Sequence, residues 1–318
     1  MTRGRRVRTL FFGSGSFAIP ILDALDREKE ILLVGVVTAP DRPSGRRAEL
    51  TPTPVARRAR QLDVPILQPE RIRAQDAIDA IAELQPDLGI LADYGQIIPP
   101  ALLEIPPHGI LNLHPSLLPR HRGATPIQAT IAAGDPRAGV TVMLMDQGLD
   151  TGPIVSQEEW MLEGTERAPD LEAEAARRGA DLLLRSLKPW LAGETRLVDQ
   201  ATAPASITRP FRREDARLDW SRSALELERQ VRANVPWPGA FIETEHGRLG
   251  ITAAEAAQAE PSDSPGHIVR HGDRAALVTA DGRLVLQAVQ LAGRRAMRGD
   301  DFLRGHGSII GTAVEPGR

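Results

Sequence analysis

Apolar positions fall into two rhythms over the first 190 or so residues of the chain. Residues 7–13 (VRTLFFG), 31–38 (ILLVGVVT), 65–67, 87–91 (DLGIL), 109–113 (GILNL) and 140–145 (VTVMLM) are short, nearly unbroken apolar runs. Such runs predict strands covered on both faces. Between them, residues 17–25, 55–62, 74–84, 124–133 and 171–191 space their apolar residues three or four apart, which predicts helices. Alternating strand and helix predicts an α/β fold with a doubly wound, mostly parallel sheet over residues 1–191. One stretch breaks the rhythm. Residues 39–54 (APDRPSGRRAELTPTP) are proline-rich and aperiodic, and so long a loop within a compact domain is usually functional.

Residues 192–208 (AGETRLVDQATAPASIT) are small, polar and aperiodic and read as a linker. From residue 209 to 318 the pattern changes. After a short helix at 225–233 come alternating runs at 240–244, 248–253, 267–270, 275–279 and 284–291. His246-Gly247, His271-Gly272-Asp273 and Asp281-Gly282 separate them as turns, which predicts a smaller antiparallel barrel or sandwich.

The composition is that of a globular protein: 318 residues, 42% hydrophobic and 25% charged. The apolar run after the basic N-terminus is too short for a signal peptide, and none is long enough to span a bilayer. With no cysteine there are no disulfides, thiol nucleophiles or thiolate metal sites, and a cytoplasmic location is expected. A net charge of −3 argues against a protein that coats nucleic acid but leaves room for a local basic patch. Residues 208–318 hold 16 Arg against 15 Asp plus Glu, so any grip on RNA there is local. Arg294, Arg295, Arg298 and Arg304 are its candidates. Trp220 and Trp237 could stack on bases, although core packing is the commoner use of Trp. His121 and His306 lack ligand spacing, so no metal site is expected.

The candidate chemistry sits between residues 112 and 150. Asn112 and His114 lie at the end of a predicted strand and share one of its faces. The stiff turn Pro115–Pro119 follows, and Asp150 stands in a glycine-rich turn, DQGLDTGP. Acyl transfer between nitrogens passes through a tetrahedral oxyanion. Asn112 can donate to that oxyanion, His114 can donate or carry protons, and Asp150 can orient His114. No serine stands in a nucleophile elbow, so direct attack by the substrate amine is the simpler route. Each of the three also has an ordinary structural use in a turn or cap. Gly13-Ser14-Gly15-Ser16-Phe17-Ala18 fits a dinucleotide fingerprint. The second strand, however, ends in Thr38-Ala39-Pro40 rather than an acid, so the glycines read as a tight turn.

NLHPSLLPRHRGATPIQ, followed by Asp150 36 residues after His114 in MDQGLDTGP, resembles the formyltransferase family that uses 10-formyltetrahydrofolate. The loop TAPDRPSGRRAELTPTPV, the stretch REDARLDWSRSALELERQVRANVPWPGAF and the segment LAGRRAM are similar to the methionyl-tRNA formyltransferase branch, over nearly the whole chain. The resemblance implies an OB-like β-barrel for residues 209–318 and formyl transfer to the α-amino group of methionyl initiator tRNA. It implies Asn112, His114 and Asp150 as catalytic residues. Folate contacts would come from Ser116, Leu117, Leu118 and Pro119 and from Tyr94, Gly95, Gln96 and Ile97. It places Arg42, Arg46, Arg47, Arg294 and Arg295 towards the tRNA, in an enzyme expected to act as a monomer without a metal. An amino-sugar nucleotide formyltransferase of the same fold, or a non-catalytic tRNA-binding protein, are the alternatives. The chain departs from the family pattern at Ala48 and Glu49, where lysines are usual, at Val235-Pro236, where Asn-Pro is usual, and in RPFRR at 209–213.

Overall fold

A computed structural model describes residues 5–44, 49–200, 205–245 and 247–315. Its elements begin β1 (Val7–Phe12), α1 (Ala18–Arg27), β2 (Ile31–Val37), β3 (Arg42–Ser44), β4 (Glu49–Thr51), α2 (Pro54–Gln61), β5 (Ile66–Leu67) and α3 (Gln75–Glu83). They continue with β6 (Leu88–Leu91), α4 (Pro100–Leu103), β7 (Ile110–His114), β8 (Arg122–Gly123), α5 (Pro126–Ala133), β9 (Arg137–Leu144), β10 (Ile154–Met161) and α6 (Ala168–Leu191). The last group is β11 (Ile207–Thr208), α7 (Ala224–Ala233), β12 (Phe241–Thr244), β13 (Gly247–Ala257), β14 (Ile268–His271), β15 (Arg274–Val278), β16 (Arg283–Leu291), β17 (Met297–Arg298) and α8 (Gly299–Gly305).

The chain forms two compact units. The first holds residues 1–123, 138–160 and 172–207, and the second holds 124–137, 161–171 and 208–318. The expected linker, up to residue 207, groups with the first unit. Val198 pairs in a β-bridge with Ile154, and the Arg122 N–H donates to the Ser206 carbonyl at 2.8 Å. These bonds tie Val198 and Ser206 into the first unit, which composition alone could not show.

In the first unit seven strands lie in the order β10-β9-β7-β6-β1-β2-β5. Five of them are parallel, and Leu10, Phe12, Val37, Ile81, Leu91 and Ile110 pack into one core beneath them. Burial of each such side chain contributes about 1.5–3 kcal/mol. The sheet is mixed rather than parallel throughout. β9 runs antiparallel to β7, with Asn112 opposite Met143 and His114 opposite Thr141. β10, which the sequence reading missed, closes the edge. Its alternating pattern of partial burial reflects the polar run Ser156 to Glu159. The 39–54 loop carries the short hairpin β3–β4.

In the second unit the antiparallel strands run β12-β13-β16-β15-β14, with β17 added beside β16. β13 bends at register shifts around Ile251 and Ala253, and bulges of this kind let a sheet curl. Bridges from Thr244 to Val314 and from His267 to Ala313 partly close the half-barrel around Leu227, Leu249, Leu277, Leu286 and Phe302. The expected OB-like β-barrel is present. α7 begins with a capping box in which Ser223 and Glu226 satisfy each other's backbone N–H groups.

Candidate active site

Asn112 and His114 are buried on β7 and, two residues apart, point to the same face. Because β9 runs back along β7, its last residue, Leu144, ends beside Leu111 rather than beyond His114. The turn 145–152 must fold over the strand face to reach the two side chains. It does so with Asp150 in the left-handed region, at φ +52°. There the Asp150 carboxylate accepts from Asn112 Nδ2 at 3.2 Å and from the Gly123 backbone N–H at 2.8 Å. Its Oδ2 also stands 3.7 Å from His114 Nδ1. The sequence-read trio converges on one carboxylate.

The other imidazole nitrogen fixes the tautomer. His114 Nε2 lies 2.9 Å from the His121 carbonyl, which can only accept, so Nε2 carries the proton. In the neutral ring Nδ1 is then the free lone pair, turned toward Asp150. His121 itself is buried at φ +59°, and its backbone N–H donates to Ser206 Oγ at 2.9 Å. Gln200 donates from Nε2 to the carbonyls of Asp150 (2.9 Å) and Gly152 (2.7 Å). Arg122 donates in turn to Gln200 Oε1 at 2.7 and 3.0 Å. Gly123, Gln200 and Ser206 were not singled out from sequence, and His121 was weighed only as a metal ligand. Gln200 and Ser206 stand in the stretch that composition marks as a linker.

The expected folate residues divide. Ser116 is buried, and its hydroxyl donates to the Arg120 carbonyl at 2.7 Å. Leu118 is buried, and its N–H donates to Thr141 Oγ1. Leu117 packs against Gly139, and Pro119 is half-buried. The side chains of Ser116 and Leu118 thus build the turn rather than face outward. Gln96 accepts from the Ile72 N–H and donates to the Pro69 carbonyl, so its amide holds a neighbouring loop. Tyr94 packs edge-on against Phe12, and its buried hydroxyl has no hydrogen-bond partner among the described residues. Burial pushes that phenol up to about 12. Gly95 has open space where a side chain would stand, and Ile97 is 82% exposed. Gly95 and Ile97 leave an accessible lip after β6.

Asp93, just before this lip, has φ +50° and is wedged against Gly15, whose ideal Cβ would lie 1.7 Å from Oδ2. The residue keeps solvent contact, yet crowding by protein, and next the Glu172 carboxylate, push it up to about 6.

Of the expected tRNA contacts, Arg42 is exposed on β3, and Arg294 and Arg295 are exposed between β16 and β17. Arg46 and Arg47 lie outside the described residues. Arg298 and Arg304 are occupied by Asp300 and Asp301. Trp220 packs on the barrel core and donates to the Val314 carbonyl, whereas Trp237 is 54% exposed, against the expectation of core packing. Among the described residues no group of three or more His, Asp or Glu is placed to hold a metal ion.

Residues 5–187 match the family of formyl transferases, and residues 210–307 match the formyl transferase C-terminal domain. The chain is 44% identical over 301 residues to the methionyl-tRNA formyltransferase of Chloroflexus aurantiacus, covering 94% of this chain and 97% of that one. It is 39% identical over 314 residues to the methionyl-tRNA formyltransferase of Thermus thermophilus, covering 97% and 99%. Among solved structures it shares its fold with the sugar 3N-formyltransferase WlaRD, crystallised with dTDP and 5-N-formyl-THF. That match has a TM-score of 0.66 and 15% identity, and it covers 92% of this chain and 100% of that one. The N-formyltransferase of Helicobacter canadensis, in complex with folinic acid and dTDP-3-aminofucose, follows at 0.63 and 14%, covering 88% and 98%. With both halves matched and relatives of this identity over nearly its full length, the chain belongs to the methionyl-tRNA formyltransferase family.

Proposed function

We propose that the protein transfers the formyl group of 10-formyltetrahydrofolate to the α-amino group of methionyl initiator tRNA, with Asn112, His114 and Asp150 as its catalytic residues. The observation that carries this reading is the Asp150 carboxylate, set between the Asn112 amide, the Gly123 N–H and His114 Nδ1. No covalent enzyme intermediate is required. The amine nitrogen attacks the formyl carbon, and the carbonyl oxygen becomes an oxyanion. Asn112 spends one amide N–H on Asp150 and keeps a second for that oxyanion. Such a donor is worth about 10²–10³ in rate where one has been removed. The proton lost by the amine passes to His114 Nδ1, where the facing Asp150 carboxylate stabilises the imidazolium. As the bond from carbon to the leaving folate nitrogen breaks, that proton moves to the leaving nitrogen, and the carbonyl reforms. The accessible lip at Tyr94–Ile97 would receive the folate ring. Open space at Gly95 and the exposed Ile97 leave room for it there.

The test is to incubate the enzyme with 10-formyltetrahydrofolate and either charged initiator tRNA or an amino-sugar nucleotide. Formylmethionyl-tRNA is the expected product. Formylation of the sugar nucleotide alone would refute the reading.

A further inference from the structure

A groove of about 630 Å³ opens on the half-barrel between the turn 235–239, the start of β13 and the end of β16. Among the described residues no Asp or Glu lines it, although the chain as a whole is acidic. Trp237 stands on its wall, 54% exposed, and none of the other three tryptophans is exposed. A large indole left in water forgoes the burial that normally holds it, so its exposure calls for an occupant.

The charges point to what that occupant is. Arg213 lines the groove and has no hydrogen-bond or ion-pair partner among the described residues. Arg167 lines it too and, among the described residues, reaches only the Thr252 carbonyl, at 3.3 Å. Arg248 is different, because it is paired to Glu243 and stacked on Phe241. The exposed pair Arg294 and Arg295 follows directly on Gly293 at the lip. Several other cations on the domain are paired: Arg298 and Arg304 with Asp300 and Asp301, Arg283 with Asp263 and Glu260, and Arg232 with Glu228. In this groove unpaired guanidinium groups stand around an exposed aromatic ring. That combination suits a nucleotide, with a π-face for the base and guanidinium groups for its phosphates. Gln290, whose Nε2 is taken by the Arg294 carbonyl, still offers Oε1 as an acceptor to a base edge.

We propose that this groove binds an unpaired nucleotide of the RNA substrate, the base stacked on Trp237 and its phosphates held by Arg213 and Arg167. The inference rests on the functional reading above, since it needs an RNA substrate, and it assigns the grip to a place that the basic segment at 294–295 only borders. A base stacked on an aromatic ring typically changes affinity by about 5- to 150-fold when the ring is removed.

The experiment uses the full-length enzyme and charged initiator tRNA. Adding the tRNA should quench tryptophan fluorescence, and the quench should vanish in Trp237→Phe. Trp237→Leu should raise KM for the tRNA about tenfold or more and leave KM for the formyl donor within twofold. Trp237→Phe should recover most of the loss, since a smaller ring still stacks. Arg213→Gln should lower the slope of log KM against log salt by about one, as expected for one lost phosphate contact. An unchanged tRNA KM in Trp237→Leu, or an equal rise in both KM values, overturns the groove while wild-type turnover upholds the parent reading. A wild-type enzyme that fails to formylate tRNA at all overturns both.

Discussion

Gly152 gives the sharpest test of how the site is held. A Cβ added there would lie 1.8 Å from the Leu144 carbonyl oxygen, with the Leu144 carbonyl carbon at 3.0 Å and the Asp146 nitrogen at 3.3 Å. All three are backbone atoms of the strand end that carries the turn, so no side chain can swing aside. Real Cβ contacts essentially never fall under 3.0 Å, so Gly152→Ala must open the gap by about 1.2 Å. Asp150 is two residues away, and Gln200 grips the carbonyls of both. A shift of that size carries the carboxylate beyond hydrogen-bonding reach of the Gly123 N–H, now at 2.8 Å, and of Asn112, now at 3.2 Å. Misplacing a catalytic group by about 1 Å costs on the order of 10²-fold in rate. Single-turnover formyl transfer should therefore fall by about that factor, with affinity for the formyl donor changing much less. Gly164→Ala is the comparison: its φ of +85° strains an alanine, but no atom lies within 4 Å and it is far from the turn in sequence. It should cost about 1–2 kcal/mol of stability and little activity. The reasoning fails if folded Gly152→Ala turns over within threefold of wild type.

Three further outcomes are expected. Asp93 has its carboxyl raised from 3.8 to about 6, so the folded state holds a proton that the unfolded chain has lost between those values. Its contribution is present below about pH 3.8 and disappears as pH rises through about 6, lessened by its solvent contact. Asp93→Asn, which tolerates the positive φ, should flatten that part of the pH–stability curve, and an unchanged curve would contradict it. Gly95→Ala meets nothing within 4 Å in this structure, so it should leave the melting temperature unchanged. A rise in KM for the formyl donor alone would place the ligand there, and no rise would remove Gly95 from the folate site. Arg283 and Asp263 have side chains only 4% and 5% exposed and meet at 2.6 Å. Arg283→Met should destabilise the barrel by about 3–5 kcal/mol in urea melts by stranding the carboxylate. Hydrogen bonding from Arg283 holds Asp263 below the usual carboxylate range, so the wild-type contribution is lost as pH falls through that lowered value. A loss below 1 kcal/mol would show that Asp263 finds another partner.

Most of the strands were legible because a buried parallel strand writes itself as an apolar run. The same property hid two facts. An unbroken run such as 140–145 has no direction, so the antiparallel course of β9 could not be read from it. β10, at the sheet edge, keeps Gln157, Glu158 and Glu159 and resembles a loop. Trp220 and Trp237 were alike in composition, and only the packing separates a ring bonded to Val314 from one left in a groove.

The site divides along the same line. Reactive groups are legible because their chemistry demands particular residues: an amide, an imidazole and a carboxylate have few substitutes. The groups that hold them are not, since any donor arriving by any path can satisfy a carbonyl. Asp150 reaches Asn112 and His114 only by adopting a left-handed conformation, which costs a non-glycine residue roughly 1–2 kcal/mol. The Gly123 N–H on its side chain and the Gln200 amide on its carbonyl offset that cost, and each such bond is worth about 1 kcal/mol or more. Gln200 lies 50 residues away, in a stretch whose composition suggests no structure at all. Removing its amide with Gln200→Ala should therefore loosen Asp150 and slow formyl transfer without removing any reacting group. Activity equal to wild type would mean that Gly123 and Asn112 suffice to keep the carboxylate in place.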